Sequence, residues 1–330
     1  MSGRPVPGLG RRLLIPLLLA LLVVIGLTIH ADASQLLDAL MGVSGWVLLS
    51  AMGLALGNYV LRFIRWEFFL RCVGVSDVRR TESALVFVAG FVLSITPGKV
   101  GELIKCHLLN RSEGVAVESS APVVIAERLT DFIAVILLCV WGAVATEYGV
   151  QVVAWGAALI ALIVVVLASE RLTGFGLALF SRLPWIGGWA ERLAAALVSM
   201  RSLLRPAPLL AGVGLGIVAW GLEGYALHVI LTSFGATDLS VGDAVFIYTF
   251  ATLAGAVALL PAGLGVTEGS LIALIGSHVA TAADATAITL IVRFSTLWFA
   301  VALGLIALAM RPSWWAAIPE TIPPVDKNNV

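Results

Sequence analysis

Long apolar runs, separated by short polar connections, occupy most of the chain between residues 13 and 310. A run of about 20 apolar residues is long enough to cross the hydrocarbon core of a bilayer as a helix. The pattern therefore predicts an all-α polytopic membrane protein, built as a single membrane domain over residues 1–330. Six unbroken segments are predicted to span the membrane: Leu13–Ile29, Val43–Leu70, Ala121–Ala145, Val152–Ala168, Pro208–Leu231 and Ala285–Met310.

Two further apolar segments, Ala84–Leu109 and Ala244–Ile275, are interrupted by helix-breaking residues. A break frees backbone hydrogen-bonding groups, and at membrane depth these must be enclosed by protein or line a watered cavity. We therefore predict a turn inside each segment. The turn residues are Pro97, Gly98 and Gly101 in the first segment and Pro261, Gly263 and Gly265 in the second.

The distribution of Lys and Arg orients these segments, because basic connections stay in the cytoplasm. The basic connections are Arg4–Arg12, Arg71–Arg80, Arg171–Arg205 and the tail after Arg311. The connections without Lys or Arg, which we predict to lie outside, are His30–Gly42, Thr146–Gln151 and Phe234–Asp243. Both termini are then cytoplasmic.

With this orientation, the chain must cross the membrane an odd number of times within each pair formed by an interrupted segment and the unbroken segment that follows it. The segments at 84–109 and 244–275 must each enter and leave on one side, as re-entrant hairpins, and they do so from opposite sides. Residues 43–145 and 208–310 are therefore predicted to form an inverted repeat, an arrangement typical of transporters. Arg62 corresponds to Glu223 and Gly74 to Gly235 at one common offset, which supports the duplication.

Composition agrees with a membrane domain, since 60% of the residues are hydrophobic and 12% are charged, against about a quarter charged in soluble domains. Residues 186–204 have an apolar helical face and predict a cytoplasmic interfacial helix, with a plain connecting helix as the alternative. Ala31-Asp32-Ala33 resembles a signal-peptide cleavage site, but the preceding apolar run is long for such a peptide, so a retained first helix fits better. The spacings of the three cysteines and four histidines match no metal motif, so neither a metal nor a cofactor is predicted.

Ionisable side chains at membrane depth are costly and usually mark a polar path or site. Candidate substrate-binding residues are Arg62, Arg65, Thr96, Lys99, Arg128, Thr267 and Arg293, and candidate coupling carboxylates are Glu102, Asp131, Glu223 and Glu268. Simpler interpretations stay open. Arg62, Arg65 and the lysines after the first turn could extend to the interface, and the pairs Glu102–Arg128 and Glu268–Arg293 could only stabilise the fold.

Four motifs carry a family resemblance: Arg62–Trp66, Thr96–Glu102, Glu127–Asp131 and Pro261–Glu268. In this order they resemble the membrane region of lysylphosphatidylglycerol synthases, which is shared with stand-alone bacterial membrane proteins. The resemblance covers roughly residues 10–310. It implies movement of a lipid between leaflets in the bacterial inner (plasma) membrane. The chain stops at Val330, so we expect it to lack the soluble domain that aminoacylates phosphatidylglycerol in the synthases.

The first hypothesis is therefore a lipid translocase for an anionic or phosphate-bearing lipid. The chain has no phosphate-binding P-loop, so transport is expected to be downhill or coupled to an ion, with protons carried by the coupling carboxylates. The alternatives are a membrane-embedded lipid-modifying enzyme with Glu102 or Glu268 as acid or base, and an accessory membrane subunit of an envelope pathway. The expected partners are the lipid and the bilayer, without nucleic acid, and a homo-oligomer is left open.

Overall fold

A computed structural model describes residues 7–96, 101–144, 151, 154–156, 158 and 200–317, and this part of the chain is helical without strands. Most of the predicted span 152–168, most of the predicted interfacial helix 186–204, and Pro97, Gly98 and Lys99 lie outside the described residues. The described helices are α1 Pro7–Ala31, α2 Ala33–Met41, α3 Gly45–Cys72, α4 Arg80–Ala89, α5 Ile104–Glu113, α6 Val117–Ala143, α7 Pro206–Ser233, α8 Val241–Val257, α9 Val266–Ile275, α10 Ala282–Arg293 and α11 Phe299–Ala309.

Among the described residues, three helices are long and apolar enough to cross a membrane: α3, α7 and the continuous helix Ala282–Ala309, which contains α10 and α11. They correspond to three of the six predicted spans. The bent pair α1–α2, with 102° between its helices, could be a fourth. Helix α6 has 27 residues, or about 40 Å at 1.5 Å per residue, which is long enough to cross a membrane. Its charged residues, which include Glu127, Arg128 and Asp131, exclude it from a count of spans that is based on length and apolar composition. The full count of six stays a prediction.

Helix α2 occupies a stretch that the sequence pattern treats as an outside connection. Asp32 begins it, because its carboxylate accepts hydrogen bonds from the backbone N–H groups of Ser34 and Gln35 at the helix N-terminus. Aspartate is a strong helix N-cap, so the residue type was an available signal for α2 beside the resemblance to a cleavage site.

Both interrupted segments contain a break in the structure, although Pro97 and Gly98 of the first predicted turn lie outside the described residues. The first changes from α4 into a 3₁₀ turn, Gly90–Leu93, and α5 does not begin until Ile104. The second stops at Val257 and resumes at Val266, and its four residues with positive φ are Leu259, Ala262, Gly263 and Gly265. Helix α4 packs against α5 and α8 against α9, as hairpins require. The membrane side from which each hairpin enters stays a prediction.

The two halves are related by matching local structure at the ends of α3 and α7. Gly74 follows α3 with φ 85° and Gly235 follows α7 with φ 84°, a left-handed conformation that glycine adopts without strain. The residue after each glycine donates its N–H to a carbonyl of the preceding helix. Because the sequence aligns these two glycines, this shared helix ending supports the predicted duplication.

The helices of the two halves pack on each other reciprocally. Helix α3 packs on α7, α6 on the second hairpin helix α8, and α11 on the first hairpin helix α4. At the centre of the α3–α7 contact, the Asn58 side chain donates a 2.9 Å hydrogen bond to the Ala219 carbonyl. These two positions correspond when Arg62 is aligned with Glu223, so they lie where a pseudo-two-fold axis would pass.

Two glycines allow the last helix of each half to pack closely on the hairpin of the other half. A Cβ added at Gly142 in α6 would lie 2.5 Å from the Gly242 carbonyl oxygen, and one at Gly304 in α11 would lie 2.9 Å from the Val92 nitrogen. Both neighbours are backbone atoms and cannot rotate away. Each last helix can therefore approach the hairpin of the other half only because it has no side chain there.

We expect Gly142→Ala and Gly304→Ala to lower stability. Alanine normally stabilises a helix interior by about 0.5–1 kcal/mol relative to glycine, but overpacking costs about 1–3 kcal/mol. The apparent melting temperature of the detergent-purified chain measures the effect. Gly214→Ala is the matched control, because a Cβ there meets no atom within 4 Å. An unchanged or raised melting temperature in all three variants would contradict the packing.

Candidate functional site

One cavity of about 410 Å³ receives side chains from both halves of the chain. Its wall is largely apolar, with a small set of polar groups, as is usual for small-molecule sites. The structure therefore brings together most of the predicted site residues, across more than 200 positions of sequence. The predicted residues that line it are Arg62, Thr96, Glu102, Arg128, Asp131, Glu223, Gly263, Thr267 and Arg293.

Two arginines and two carboxylates form the charged wall contributed by the first half. Arg128 Nη2 lies 3.3 Å from Glu102 Oε2 and 3.0 Å from Asp131 Oδ2. Arg62 Nη2 lies 3.9 Å and 3.7 Å from the same two oxygens. The predicted pair Glu102–Arg128 is thus part of a four-residue network that faces the cavity.

The guanidinium groups of this network combine ion pairing with incomplete hydrogen bonding. Within the part of the chain that the structure describes, Nε and Nη2 of both Arg62 and Arg128 are buried without a hydrogen-bond acceptor of acceptable geometry, although each Nη2 lies 3.0–3.9 Å from oxygens of Glu102 and Asp131. A buried donor left without an acceptor costs about 1–3 kcal/mol, and more when it is charged. Both side chains line the cavity, and the Arg128 side chain is 22% exposed, so Arg128 can contact a ligand there.

Arg65 does not line the cavity, in contrast to its predicted role in binding. It is fully buried behind Asp131, and its Nη2 donates a 2.6 Å hydrogen bond to Asp131 Oδ1. Trp220 Nε1 donates to the same oxygen at 3.0 Å, and the absence of a side chain at Gly216 leaves room for the guanidinium. The alternative in which Arg65 extends to the interface is also wrong. Arg65 holds Asp131 in place.

Lys105 and Glu127 form a buried pair that the sequence analysis missed. Lys105 Nζ lies 2.7 Å from Glu127 Oε2 and 4.8 Å and 5.1 Å from the ring centroids of Trp66 and Phe87. The interpretation of Lys105 as a lysine that reaches lipid headgroups is wrong, because the residue is 1% exposed. Lys105 Nζ also lies 3.5 Å from Glu102 Oε2, and the three-residue spacing of these two residues, which places both side chains on one helix face, was a signal in the sequence for that contact.

In the second half, Arg293 is held by the broken segment. Its Nε donates to Glu268 Oε1 at 2.6 Å and its Nη2 to the Ala262 carbonyl at 2.8 Å. Glu268 also accepts a 2.7 Å hydrogen bond from the backbone N–H of Gly265, so it caps the N-terminus of α9. A negative charge at this end of a helix interacts favourably with the helix dipole. Pro261, a predicted turn residue, begins the 3₁₀ turn that contains Ala262. The predicted pair Glu268–Arg293 is thus present.

The two threonines lie at the turns, as predicted. Thr96 donates its hydroxyl to the Leu93 carbonyl and accepts from the Gly101 N–H at 2.8 Å. A side chain at Gly101 would collide with both of these residues. Thr267 occupies the space left by Gly255 and Gly263. The Thr96 hydroxyl stabilises the first break, and both threonines line the cavity.

Two tyrosines complete the site, and the sequence analysis did not identify either. The Tyr248 hydroxyl donates to Glu223 Oε2, and the Tyr59 hydroxyl donates to the Thr296 carbonyl. Thr296 lies in a π-helical turn, Phe294–Trp298, directly after Arg293. Such turns are frequent at functional sites. Aromatic residues are common throughout membrane helices, so their identity gave no signal.

Charge at the cavity wall is balanced among the described residues. Three arginines and three carboxylates line it: Arg62, Arg128, Arg293, Glu102, Asp131 and Glu223. Within residues that the structure describes, no group of three or more His, Cys, Asp or Glu side chains is arranged to hold a metal ion. The arrangement can bind a group that accepts hydrogen bonds from guanidinium donors.

Comparison with known proteins gives a consistent family match. The family described as "Lysylphosphatidylglycerol synthase TM region" matches residues 13–304. Two relatives from Methanothermobacter thermautotrophicus (strain Delta H) are each named "UPF0104 membrane protein". One is 27% identical over 335 aligned residues, covering 92% of this chain and 97% of the relative. The other is 26% identical over 301 residues, covering 80% and 83%.

We expect Lys105→Met to destabilise the chain by about 3–5 kcal/mol, because it leaves Glu127 buried without its cation. The double variant Lys105→Met/Glu127→Gln should recover most of this loss, since no uncompensated charge is left from the pair. Apparent melting temperature in detergent measures both effects. Arg79→Ala is the control, because its pair with Glu113 is at the surface and worth about 0–1 kcal/mol. If Lys105→Met behaves like that control, the buried pair is not formed.

Proposed function

The chain belongs to the lysylphosphatidylglycerol synthase TM region family, and we propose that it is a translocase that moves an anionic or phosphate-bearing lipid between membrane leaflets. The observation that carries this proposal is the pair of arginines, Arg62 and Arg128, that line a cavity together with residues of both broken segments. Carboxylates alone would repel such a headgroup, and a purely apolar cavity would not compensate its charge.

In this proposal the headgroup occupies the cavity while the hydrocarbon chains stay in the bilayer. Arg128 is the main ligand, because its side chain is 22% exposed and is the most accessible of the network. Arg62, deeper in the wall, and Arg293, on the opposite half, provide further donors. Guanidinium groups suit phosphate because their planar N–H groups can form two parallel hydrogen bonds. Arg65 acts indirectly, through the position of Asp131.

The balanced charge of the wall suggests how transport is coupled. An anionic headgroup would leave a net negative charge in a low-dielectric site, and uptake of one proton by a carboxylate would restore neutrality. Glu102, Asp131 and Glu268 each lie within 4 Å of an arginine. Glu223 lines the cavity and accepts a hydrogen bond from the Tyr248 hydroxyl, and it is the coupling carboxylate that we test as the proton carrier.

We further propose the inner membrane as the location, with both termini in the cytoplasm and the two hairpins entering from opposite leaflets. The basic connections support this orientation. The headgroup could then reach the cavity from either leaflet without crossing the apolar core unassisted. The reciprocal packing of each last helix on the hairpin of the other half supports two halves that move relative to each other around one site.

The function is tested by leaflet-resolved transport in proteoliposomes, with phosphatidylglycerol carrying a fluorescent acyl chain that dithionite bleaches in the outer leaflet. We expect Arg128→Gln to slow transport at least about tenfold, because a hydrogen bond to a charged group is worth about 1.5–3 kcal/mol. Arg79→Ala, at the surface, should transport normally. Equal rates in the wild type, Arg128→Gln and protein-free vesicles would contradict the proposal.

Mass spectrometry of the recovered lipid separates translocation from the alternatives. Unaltered lipid in the opposite leaflet supports transport, whereas a chemically changed lipid would assign an enzyme. If the folded protein neither moves nor chemically changes the lipid, an accessory subunit is favoured.

Proton coupling makes a second prediction. Wild-type transport should respond to an imposed pH gradient, and Glu223→Gln should lose that response because its side chain cannot take up a proton. The same fluorescent assay, repeated with gradients of both signs, measures this. Glu118→Gln is the control, since Glu118 is an exposed residue at the start of α6. A retained gradient response in Glu223→Gln would exclude Glu223 as the carrier.

A further inference from the structure

A second cavity, of about 420 Å³, lies beside the first and shares Arg293 with it. It is formed by α1, the connection from α2 to α3, the start of α9 and the end of α10. Its wall includes Val24, Leu48, Leu264, Leu290, Phe294 and Trp298. We call it the apolar groove.

The chemistry of the groove differs from that of the charged cavity. Apart from Ser44, its polar side chains are Glu268 and Arg293, and these are paired with each other at 2.6 Å. The remaining wall is aliphatic and aromatic, apart from the Trp298 ring nitrogen. Its volume falls within the roughly 300–1,000 Å³ of ordinary ligand sites. A wall of this kind favours a hydrocarbon chain and gives a charged group little to bind.

The groove opens toward the apolar surface of the protein. Of its lining residues, Val24 is 40% exposed and Phe294 is 51% exposed. The neighbouring surface of α1 carries exposed Leu21, Leu22 and Ile25. In a membrane protein this surface faces lipid tails, so a hydrocarbon chain can pass from the bilayer into the groove without crossing a polar region.

Arg293 and its partner Glu268 lie at the boundary between the two spaces. Arg293 lines both, and Glu268 is fixed by the Gly265 N–H at the start of α9. A molecule with a charged end and an apolar end matches this division, with its charged end near Arg128 and its apolar end beside Leu48 and Leu290. A lipid has these two ends joined in one molecule.

We propose that the apolar groove holds one hydrocarbon chain of the lipid whose headgroup occupies the charged cavity. This inference rests on the proposed function for the identity of the headgroup, but it assigns a separate binding site. The groove then contributes to selection of the lipid by its chain, and the Arg293–Glu268 pair separates head from tail. Ordinary bilayer lipid that contacts the groove without regard to headgroup is the alternative occupant.

Photolabelling of the full-length chain in nanodiscs tests this. The probes are phosphatidylglycerol and phosphatidylcholine, each with a diazirine at the end of one acyl chain and each present at low mole fraction. Labelled peptides are identified by mass spectrometry. We expect adducts on residues 18–29 and 290–298, with several-fold more from phosphatidylglycerol than from phosphatidylcholine. Adducts around Val218, an exposed residue of α7, should not depend on the headgroup.

Two variants make the result specific. Leu48→Trp fills the groove and should remove the headgroup-dependent adducts, whereas Val218→Trp, on the lipid-exposed surface, should not. Arg128→Gln should reduce the preference for phosphatidylglycerol in the groove if head and tail belong to one molecule. Groove adducts that are equal for both probes would show bilayer lipid only and overturn the proposal, as would the absence of groove adducts.

Labelling does not require transport, so the two proposals fail separately. Headgroup-dependent adducts in a chain that moves no lipid would retain the binding site and reject the translocase. Transport together with groove adducts that do not depend on the headgroup would retain the translocase and reject the binding site.

Discussion

The compensation of buried charge is the constraint on which this structure depends. Removing an ion from water costs several kcal/mol, even after the protein relaxes around it. Asp131 illustrates how the chain meets that cost: three arginines, Arg65, Arg128 and Arg62, lie 2.6 Å, 3.0 Å and 3.7 Å from its oxygens. Because these groups come from α3 and α6, and Trp220 of α7 donates to the same carboxylate, one network fixes three helices.

The network has one side behind the cavity and one side that faces it. Behind the cavity, Lys105 is held by Glu127 and two aromatic rings, and Arg65 is held by Asp131. Facing the cavity, Arg62 and Arg128 share the carboxylates of Glu102 and Asp131. Within the described residues, buried polar atoms without a hydrogen-bond partner of acceptable geometry occur on both sides, among them Arg65 Nε and Arg128 Nε. The two sides differ in accessibility, since the Arg128 side chain is 22% exposed and the Arg65 side chain is 0% exposed, so a ligand would meet Arg128.

The broken hairpins are the other requirement of such a site. Four residues between Leu259 and Gly265 have positive φ, and the non-glycine members, Leu259 and Ala262, carry a conformational cost of about 1–3 kcal/mol each. The Ala262 carbonyl that this conformation exposes is the one that Arg293 binds. The strained backbone and the charged side chain thus stabilise each other, which keeps an irregular segment ordered among apolar helices.

The sequence by itself determined the helical class of the fold, the presence of a break in each interrupted segment and the identity of the charged residues that line the cavity. Apolar runs, proline, glycine and isolated charges are local signals, so they can be interpreted without knowing which helices touch. Tertiary structure alone decided that Arg65 supports Asp131 while Arg128 faces the cavity, that Lys105 pairs with Glu127, and that Tyr248 binds Glu223. Those contacts join residues 22 to 66 positions apart. The packing of α3, α5, α6, α7 and α8 sets these distances, and no local pattern encodes them.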